Sequence, residues 1–154
     1  MVSVEILRRY PFFAGFTHEQ LAQIGHIARL ETFARGETIL HEGEPAQTLY
    51  VVHRGQVGLW VMVGPNRDQR VDLVTIVEGE AVGWSALVTE RRTATAEALT
   101  DVVLIALDAD DLHALFEQDR DLAYKMIWRI ADVLANRLSR MHYQLASMAP
   151  VNQP

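Results

Sequence analysis

The sequence predicts an α+β fold: a jelly-roll-like β-roll of about eight strands, flanked by N-terminal helices and a long C-terminal helix. Helical spacing of apolar residues occupies the first thirty positions and returns after residue 108, whereas short β-branched and aromatic runs fill the segment between. The chain has 154 residues, 49% hydrophobic and 22% charged, as expected for one globular domain. Within it we expect a helical segment 1–29, a β-roll 30–108, C-terminal helices 109–149 and a frayed tail 150–154.

Two helices are predicted before the β-roll. Apolar residues from Val4 onward indicate a short helix that ends before Pro11, because proline disfavours the helical conformation in the residue that precedes it. Thr17 and Gln20 have the spacing of a capping box, in which each side chain bonds to the backbone N–H of the other residue. A second helix should therefore begin directly after Thr17.

The middle of the chain contains six runs that the pattern identifies individually as strands. They span 38–40, 48–52, 56–63, 71–77, 93–99 and 102–107, and turn residues separate them. Alternation between apolar and polar residues is loose, which indicates that some strands are buried on both faces. Seven or eight short strands at turn spacing are typical of a sandwich or barrel.

Helical spacing resumes after Asp108, which is expected to cap a helix whose first turn already carries Asp110 and Asp111. A break near 117–119 precedes a last helix that runs to about Met148. One apolar stripe of that helix recurs at steps of four and three and contains Ile127, Leu134, Leu138, Met141 and Leu145. We call these five residues the seam.

The seam has two interpretations. A second stripe, which includes Met126 and Ile130, is confined to the first half of the helix. The early half can therefore pack on its own β-roll while the seam remains available to a second copy, which would make the protein a homodimer. Alternatively, the whole helix packs back on its own chain.

Composition excludes several classes of function. The net charge is −6, and no helix-turn-helix segment follows the last helix, so we expect no direct DNA binding. Cysteine is absent, and the six histidines show no metal-ligand spacing, so neither a metal site nor an enzyme is expected. No run approaches the ~20 apolar residues needed to span a bilayer and no signal peptide is visible, so we expect a cytoplasmic protein without membrane insertion.

Local motifs resemble those of cyclic-nucleotide-binding domains, the effector domains of catabolite-activator-type regulators, cyclic-nucleotide-dependent kinases and gated channels. The resemblance extends from about residue 5 to residue 145 and rests on Gly36-Glu37-Thr-Ile39, Glu42-Gly43, Leu49-Tyr50-Val-Val52, Gly55-Gln-Val57 and Glu80-Ala-Val82-Gly83. It implies a stand-alone regulatory module with cyclic AMP or cyclic GMP as effector and no required cofactor. A downstream protein partner would read the signal.

The resemblance also implies a phosphate-binding turn in the stretch VGWSALVTERRT, residues 82–93. In the family a Gly-Glu-x-Ala-Leu turn opens a short helix toward the cyclic phosphate, and an arginine a few residues later pairs with that phosphate. Gly83, Ala86 and Arg92 match this pattern, but Trp84 stands where the family has the glutamate that binds the ribose hydroxyl. A threonine directly after the motif arginine, here Thr93, is associated in the related kinases with a preference for guanine.

The chemistry of these residues suits a small anionic ligand. Gly83 permits a close backbone approach, the N–H groups at the start of a helix attract an anion, and the Arg92 guanidinium can bind two phosphate oxygens. Ser85 and Thr93 each offer a hydroxyl. Tryptophan cannot accept a bond from a ribose hydroxyl because the indole is only a donor.

The sequence leaves open the position of Arg92 and the role of Trp84. Arg92 could be a solvated surface arginine, as we expect for Arg91. Trp84 could stack on a ligand or fill the pocket. In the second case the chain would be a degenerate fold that acts as a protein-interaction scaffold without a nucleotide ligand.

Overall fold

The structure, a computed structural model, describes residues 1–148 and confirms the predicted α+β fold. The α-helices are α1 (Val4–Arg8), α2 (His18–Ile27), α3 (Ser85–Val88), α4 (Ala109–Gln118) and α5 (Arg120–Met148). The strands are β1 (Arg29–Phe33), β2 (Thr38–Leu40), β3 (Thr48–Arg54), β4 (Val57–Val63), β5 (Gln69–Ile76), β6 (Ala81–Val82), β7 (Thr95–Ala98) and β8 (Val102–Asp108). The predicted tail 150–154 lies outside the described residues.

The N-terminal helices begin and end where local chemistry predicts. α1 ends before Pro11, and a 3₁₀ turn then runs from Pro11 to Phe13. The capping box of α2 is confirmed: the Gln20 N–H donates to Thr17 Oγ1 at 3.1 Å, and the Thr17 N–H donates to Gln20 Oε1 at 3.0 Å. These bonds satisfy two N–H groups that would otherwise lack intrahelical partners.

The strands of the described chain form two four-stranded antiparallel sheets, ordered β1-β8-β3-β6 and β2-β7-β4-β5. All six individually predicted runs are present, β2 with the predicted ends and the other five with shifted ends. The pattern did not single out β1 and β6. β6 has only two residues, too few for a period-2 pattern to be visible.

Burial on both faces of β3 divides the interior into two layers. Leu49 and Val51 point toward the helices, where they join Leu21, Leu112 and Met126 in one apolar cluster. The alternate side chains, Tyr50 and Val52, join the second cluster with Val57, Ile76 and Leu104. The expectation that some strands are buried on both faces is therefore confirmed for β3, whereas β5, whose loose alternation suggested it, is mostly exposed.

The start of α4 differs from the prediction. Asp108 occupies the N-cap position, but its carboxylate does not cap the helix. It instead pairs with Arg29 Nη1 at 3.1 Å and accepts a weak bond from Thr48 Oγ1 at 3.4 Å. A cationic partner from β1 thus outcompetes the local backbone donors.

α5 buries one face of its first half and exposes most of the seam. Met126 and Ile130 are buried against the helical cluster, whereas Ile127, Leu138 and Leu145 are exposed. Among residues 1–148 no helix is sufficiently long and apolar to cross a membrane.

Candidate functional site

The turn between β6 and α3 requires glycine at position 83. Gly83 has φ of +82°, and a Cβ there would lie 2.7 Å from Arg92 Nη1 and 3.0 Å from the Thr48 carbonyl oxygen. Both the conformation and the crowding exclude a side chain. Trp84 follows at the N-cap position, and α3 begins at Ser85.

Arg92 is buried, and its guanidinium binds the backbone of the same turn. Nη1 donates to the Gly83 carbonyl at 2.9 Å and to Ser85 Oγ at 3.3 Å, while Nη2 donates to the Thr48 carbonyl at 2.6 Å. Only 6% of Arg92 is exposed, and this burial lowers its pKa. The alternative of a solvated surface arginine is therefore wrong for Arg92. Arg91, by contrast, is exposed and donates to the Gly43 carbonyl at 2.8 Å.

The structure therefore brings Gly83, Ser85, Ala86 and Arg92 together. The Gly83 carbonyl accepts both the Ala86 N–H, at 3.1 Å, and Arg92 Nη1. In this arrangement the guanidinium ties α3 to β3, since Thr48 is the first residue of that strand. Its contact with a bound anion stays a prediction.

Trp84 and Thr93 instead line a cavity of about 470 Å³ beside the turn. Strands β4 and β5 form one wall, and the middle of α5 forms the opposite wall. The lining is mostly apolar and comprises Leu59, Val61, Leu73, Val74, Trp84, Thr93, Ala94, Leu134, Arg137, Leu138, Arg140 and Met141. Trp84 also packs against the helical cluster. It forms part of the cavity wall and does not fill the cavity.

Two arginines of α5 attach this helix to the segment just before the turn. Arg137 Nη2 donates to the Ala81 carbonyl, and Arg140 forms an ion pair with Glu80 at 3.3 Å. Burial lowers the pKa of Arg137 to about 10, an effect that the negative charge of Glu80 partly offsets. Arg137 therefore remains charged at neutral pH.

The sequence did not identify the α5 arginines as site residues. Arg137 and Arg140 are three positions apart, so a helical period places them on neighbouring turns beside the seam. Nothing local indicates that this flank meets β6. Three seam residues also line the cavity, namely Leu134, Leu138 and Met141, whereas Ile127 and Leu145 do not.

Known proteins with similar sequences indicate the family of this chain. The family model described as "Cyclic nucleotide-binding domain" matches residues 30–119. The chain is 30% identical over 115 residues, 73% of its length, to cGMP-dependent protein kinase, isozyme 1, of Drosophila melanogaster. It is 27% identical over 152 residues, 97% of its length, to a CRP-like cAMP-activated global transcriptional regulator of Mycobacterium tuberculosis.

Among solved structures, a cyclic nucleotide-binding domain from Methylobacillus flagellatus superposes with a TM-score of 0.82 at 20% identity. The match covers 98% of this chain and 84% of that one, and at this identity it shows the fold alone. The chain spans 15% of the Drosophila kinase and 65% of the mycobacterial regulator.

Proposed function

The chain belongs to the cyclic nucleotide-binding domain family, and on this basis we propose that it is a regulatory module that binds a cyclic nucleotide or a similar anionic metabolite and signals through α5. The observation that carries the proposal is the cavity between the Gly83–Ser85 turn, strands β4 and β5, and α5. Its volume of about 470 Å³ is within the usual range of small-molecule sites, roughly 300–1,000 Å³. The role is regulatory rather than catalytic.

Cavity residues support a ring-bearing ligand. Trp84 offers an indole face for stacking, and Thr93 adds a hydroxyl at the same wall. The relative from Drosophila is named as a cGMP-dependent kinase, and Thr93 occupies the position associated with guanine preference. Cyclic GMP is therefore the first nucleotide to test, followed by cyclic AMP.

The proposed signal is a change in the position of α5. Leu134, Leu138 and Met141 line the cavity, and Arg137 and Arg140 connect the same helix to the segment before the turn. A ligand that contacts these side chains favours one arrangement of the helix over another. This differential contact is what a population shift requires.

Homodimerisation through the seam is the second part of the proposal. Leu138 and Met141 are both lining residues and substantially exposed, so a second copy of α5 would cover them and the outer side of the cavity. Ligand binding and dimerisation would then involve the same side chains, and each would alter the equilibrium constant of the other. A downstream protein would read the resulting state.

A thermal-shift panel tests ligand binding directly. The panel contains cyclic GMP, cyclic AMP, cyclic di-GMP and, as controls, ordinary GMP and AMP. A ligand at 100 times its dissociation constant stabilises the folded state by about 2.7 kcal/mol, which corresponds to a rise in melting temperature of roughly 5–10 °C for a chain of this size.

Ala94→Leu adds bulk to the cavity wall and should abolish that rise. Ala135→Leu, at an exposed position of α5 that does not line the cavity, is the matched control and should leave it intact. A panel in which no cyclic nucleotide shifts the melting temperature contradicts nucleotide binding.

One observation favours the alternative, a scaffold without a nucleotide ligand. The carboxylate that would bind a ribose hydroxyl is replaced by Trp84, and Arg92 donates to backbone carbonyls of its own chain. A charged hydrogen bond of the missing kind is worth ~1.5–3 kcal/mol, so its loss weakens binding by roughly 10- to 150-fold. The same panel separates the two functions.

A further inference from the structure

The cavity has a cationic donor on α5. Arg137 lines it, and while Nη2 donates to the Ala81 carbonyl, Nη1 is buried and has no hydrogen-bond partner among the described residues. A buried donor without an acceptor costs free energy, so its presence calls for an acceptor that the described residues do not supply.

The nearby carboxylate does not satisfy this donor. Glu80 is close enough to raise the pKa of Arg137, but neither of its oxygens accepts a bond from that arginine. Oε2 pairs with Arg140, and Oε1 accepts a bond from the Val77 N–H at 3.3 Å. No acidic residue belongs to the cavity lining described above. Arg137 also lines a second cavity that contains Glu78, Glu80 and Asp132, so carboxylates face this arginine from there and not from within the apolar cavity.

The remaining lining is unsuited to a sugar. Seven of its side chains are aliphatic or thioether groups of leucine, valine and methionine, and Thr93 supplies the hydroxyl. Ligand hydroxyls directed at such walls would lose their bonds to water without replacement. Arg92, the arginine that the family pattern assigns to the anion, is absent from the lining and binds the turn itself.

We propose, building on the ligand-binding function above, that the cavity takes a compound with an apolar ring body and one oxyanion headgroup, and that Arg137 anchors this headgroup. Trp84 and the β4–β5 wall hold the apolar body, while the Arg137 guanidinium turns so that Nη1, which is buried in the ligand-free chain, donates to a carboxylate, sulfonate or phosphoryl oxygen. Recognition is by headgroup charge and ring area rather than by ribose hydroxyls.

A matched pair of fluorescent probes tests this assignment. 8-Anilinonaphthalene-1-sulfonate has two aromatic groups and a sulfonate, and N-phenyl-1-naphthylamine has the same rings without the anion. We expect Arg137→Met to weaken the sulfonate probe by about tenfold or more, as the loss of a charge-assisted bond predicts. The uncharged probe should bind the variant and the wild type within about twofold of each other.

Two further variants serve as controls for this measurement. Arg129→Met removes an arginine of the same helix that donates to the Ala14 carbonyl and lies outside the cavity, and it should bind both probes as the wild type does. Arg137→Lys retains the charge and should lose less affinity for the sulfonate probe than Arg137→Met. It also keeps the test decisive if Arg137→Met does not fold.

Competition by cyclic GMP and cyclic AMP separates this inference from the proposed function. If the sulfonate probe depends on Arg137 but neither nucleotide displaces it, the anchor is supported and nucleotide sensing fails. If a nucleotide raises the melting temperature while the affinity of the sulfonate probe is the same in wild type, Arg137→Met and Arg137→Lys, the anchor is overturned and nucleotide sensing stands. Equal loss of both probes in Arg137→Met also overturns the anchor, because it would report damage to the cavity.

Discussion

Replacing Arg92 by methionine should destabilise the ligand-free protein. In the structure its guanidinium makes three bonds, to the Gly83 carbonyl, Ser85 Oγ and the Thr48 carbonyl, at 2.9, 3.3 and 2.6 Å. Methionine matches the aliphatic part of the arginine side chain but is two atoms shorter and donates nothing. The change therefore removes the tie between α3 and β3 while leaving the apolar packing nearly intact.

The expected magnitude follows from these bonds. Hydrogen bonds to charged groups are worth about 1.5–3 kcal/mol each, and relief from burying the guanidinium offsets part of the loss. The same burial cost disfavours the charged guanidinium and lowers the pKa of Arg92. We expect the free energy of unfolding to fall by about 2–4 kcal/mol, and the melting temperature by roughly 4–16 °C.

Urea denaturation followed by circular dichroism measures this loss, and Arg91→Met is the natural control. Arg91 is adjacent but exposed and makes a bond to the Gly43 carbonyl. Its replacement should change the free energy of unfolding by less than about 1 kcal/mol. Equal stability of Arg92→Met and wild type would refute the structural role and leave Arg92 available for an anion.

Three further predictions concern the turn, the seam and the response to acid. Gly83→Ala should lower the free energy of unfolding by about 2 kcal/mol or more, because it adds both backbone strain and crowding. Gly36→Ala also has a positive φ, +89°, but no atom lies within 4 Å of the added Cβ, so in the same denaturation assay it should show the cost of backbone strain alone. Leu145→Glu changes a seam residue outside the cavity and should halve the mass measured by light scattering, because a dimer would become a monomer. Tyr143→Glu, on the opposite side of α5, should leave the mass unchanged. Equal masses for wild type and Leu145→Glu would exclude dimerisation through the seam. Burial, and after it the charges of nearby arginines, lowers the pKa of His53 from 6.5, so the unfolded chain binds more protons than the folded chain just below that pH. The free energy of unfolding should therefore fall as the pH drops from 6.5 toward the lowered pKa. In His53→Gln the unfolding midpoint should fall less over the same pH range.

Sequence reasoning succeeded where the signal lies within a few adjacent residues. The capping box at Thr17 and the end of α1 before Pro11 depend on backbone chemistry within one turn of chain, and the Gly83 turn was indicated by a contiguous family motif. Local reasoning failed at Asp108 for a related reason. Its carboxylate had an alternative partner in Arg29, which is distant in sequence and brought near by β1–β8 pairing.

By itself the sequence determined the order of the elements, because periodicity and capping are properties of contiguous residues. It indicated the Gly83 turn through the family motif, and it left open whether the whole of α5 packs on its own chain. The tertiary structure decided which way Arg92 points, which walls enclose the cavity and that Arg137 is among its lining residues. Arg92 meets Thr48 across 44 residues, and Arg137 meets Ala81 across 56. Contacts of that range depend on how the sheets and α5 pack, and a guanidinium has the same local pattern whether it meets a ligand or a backbone carbonyl.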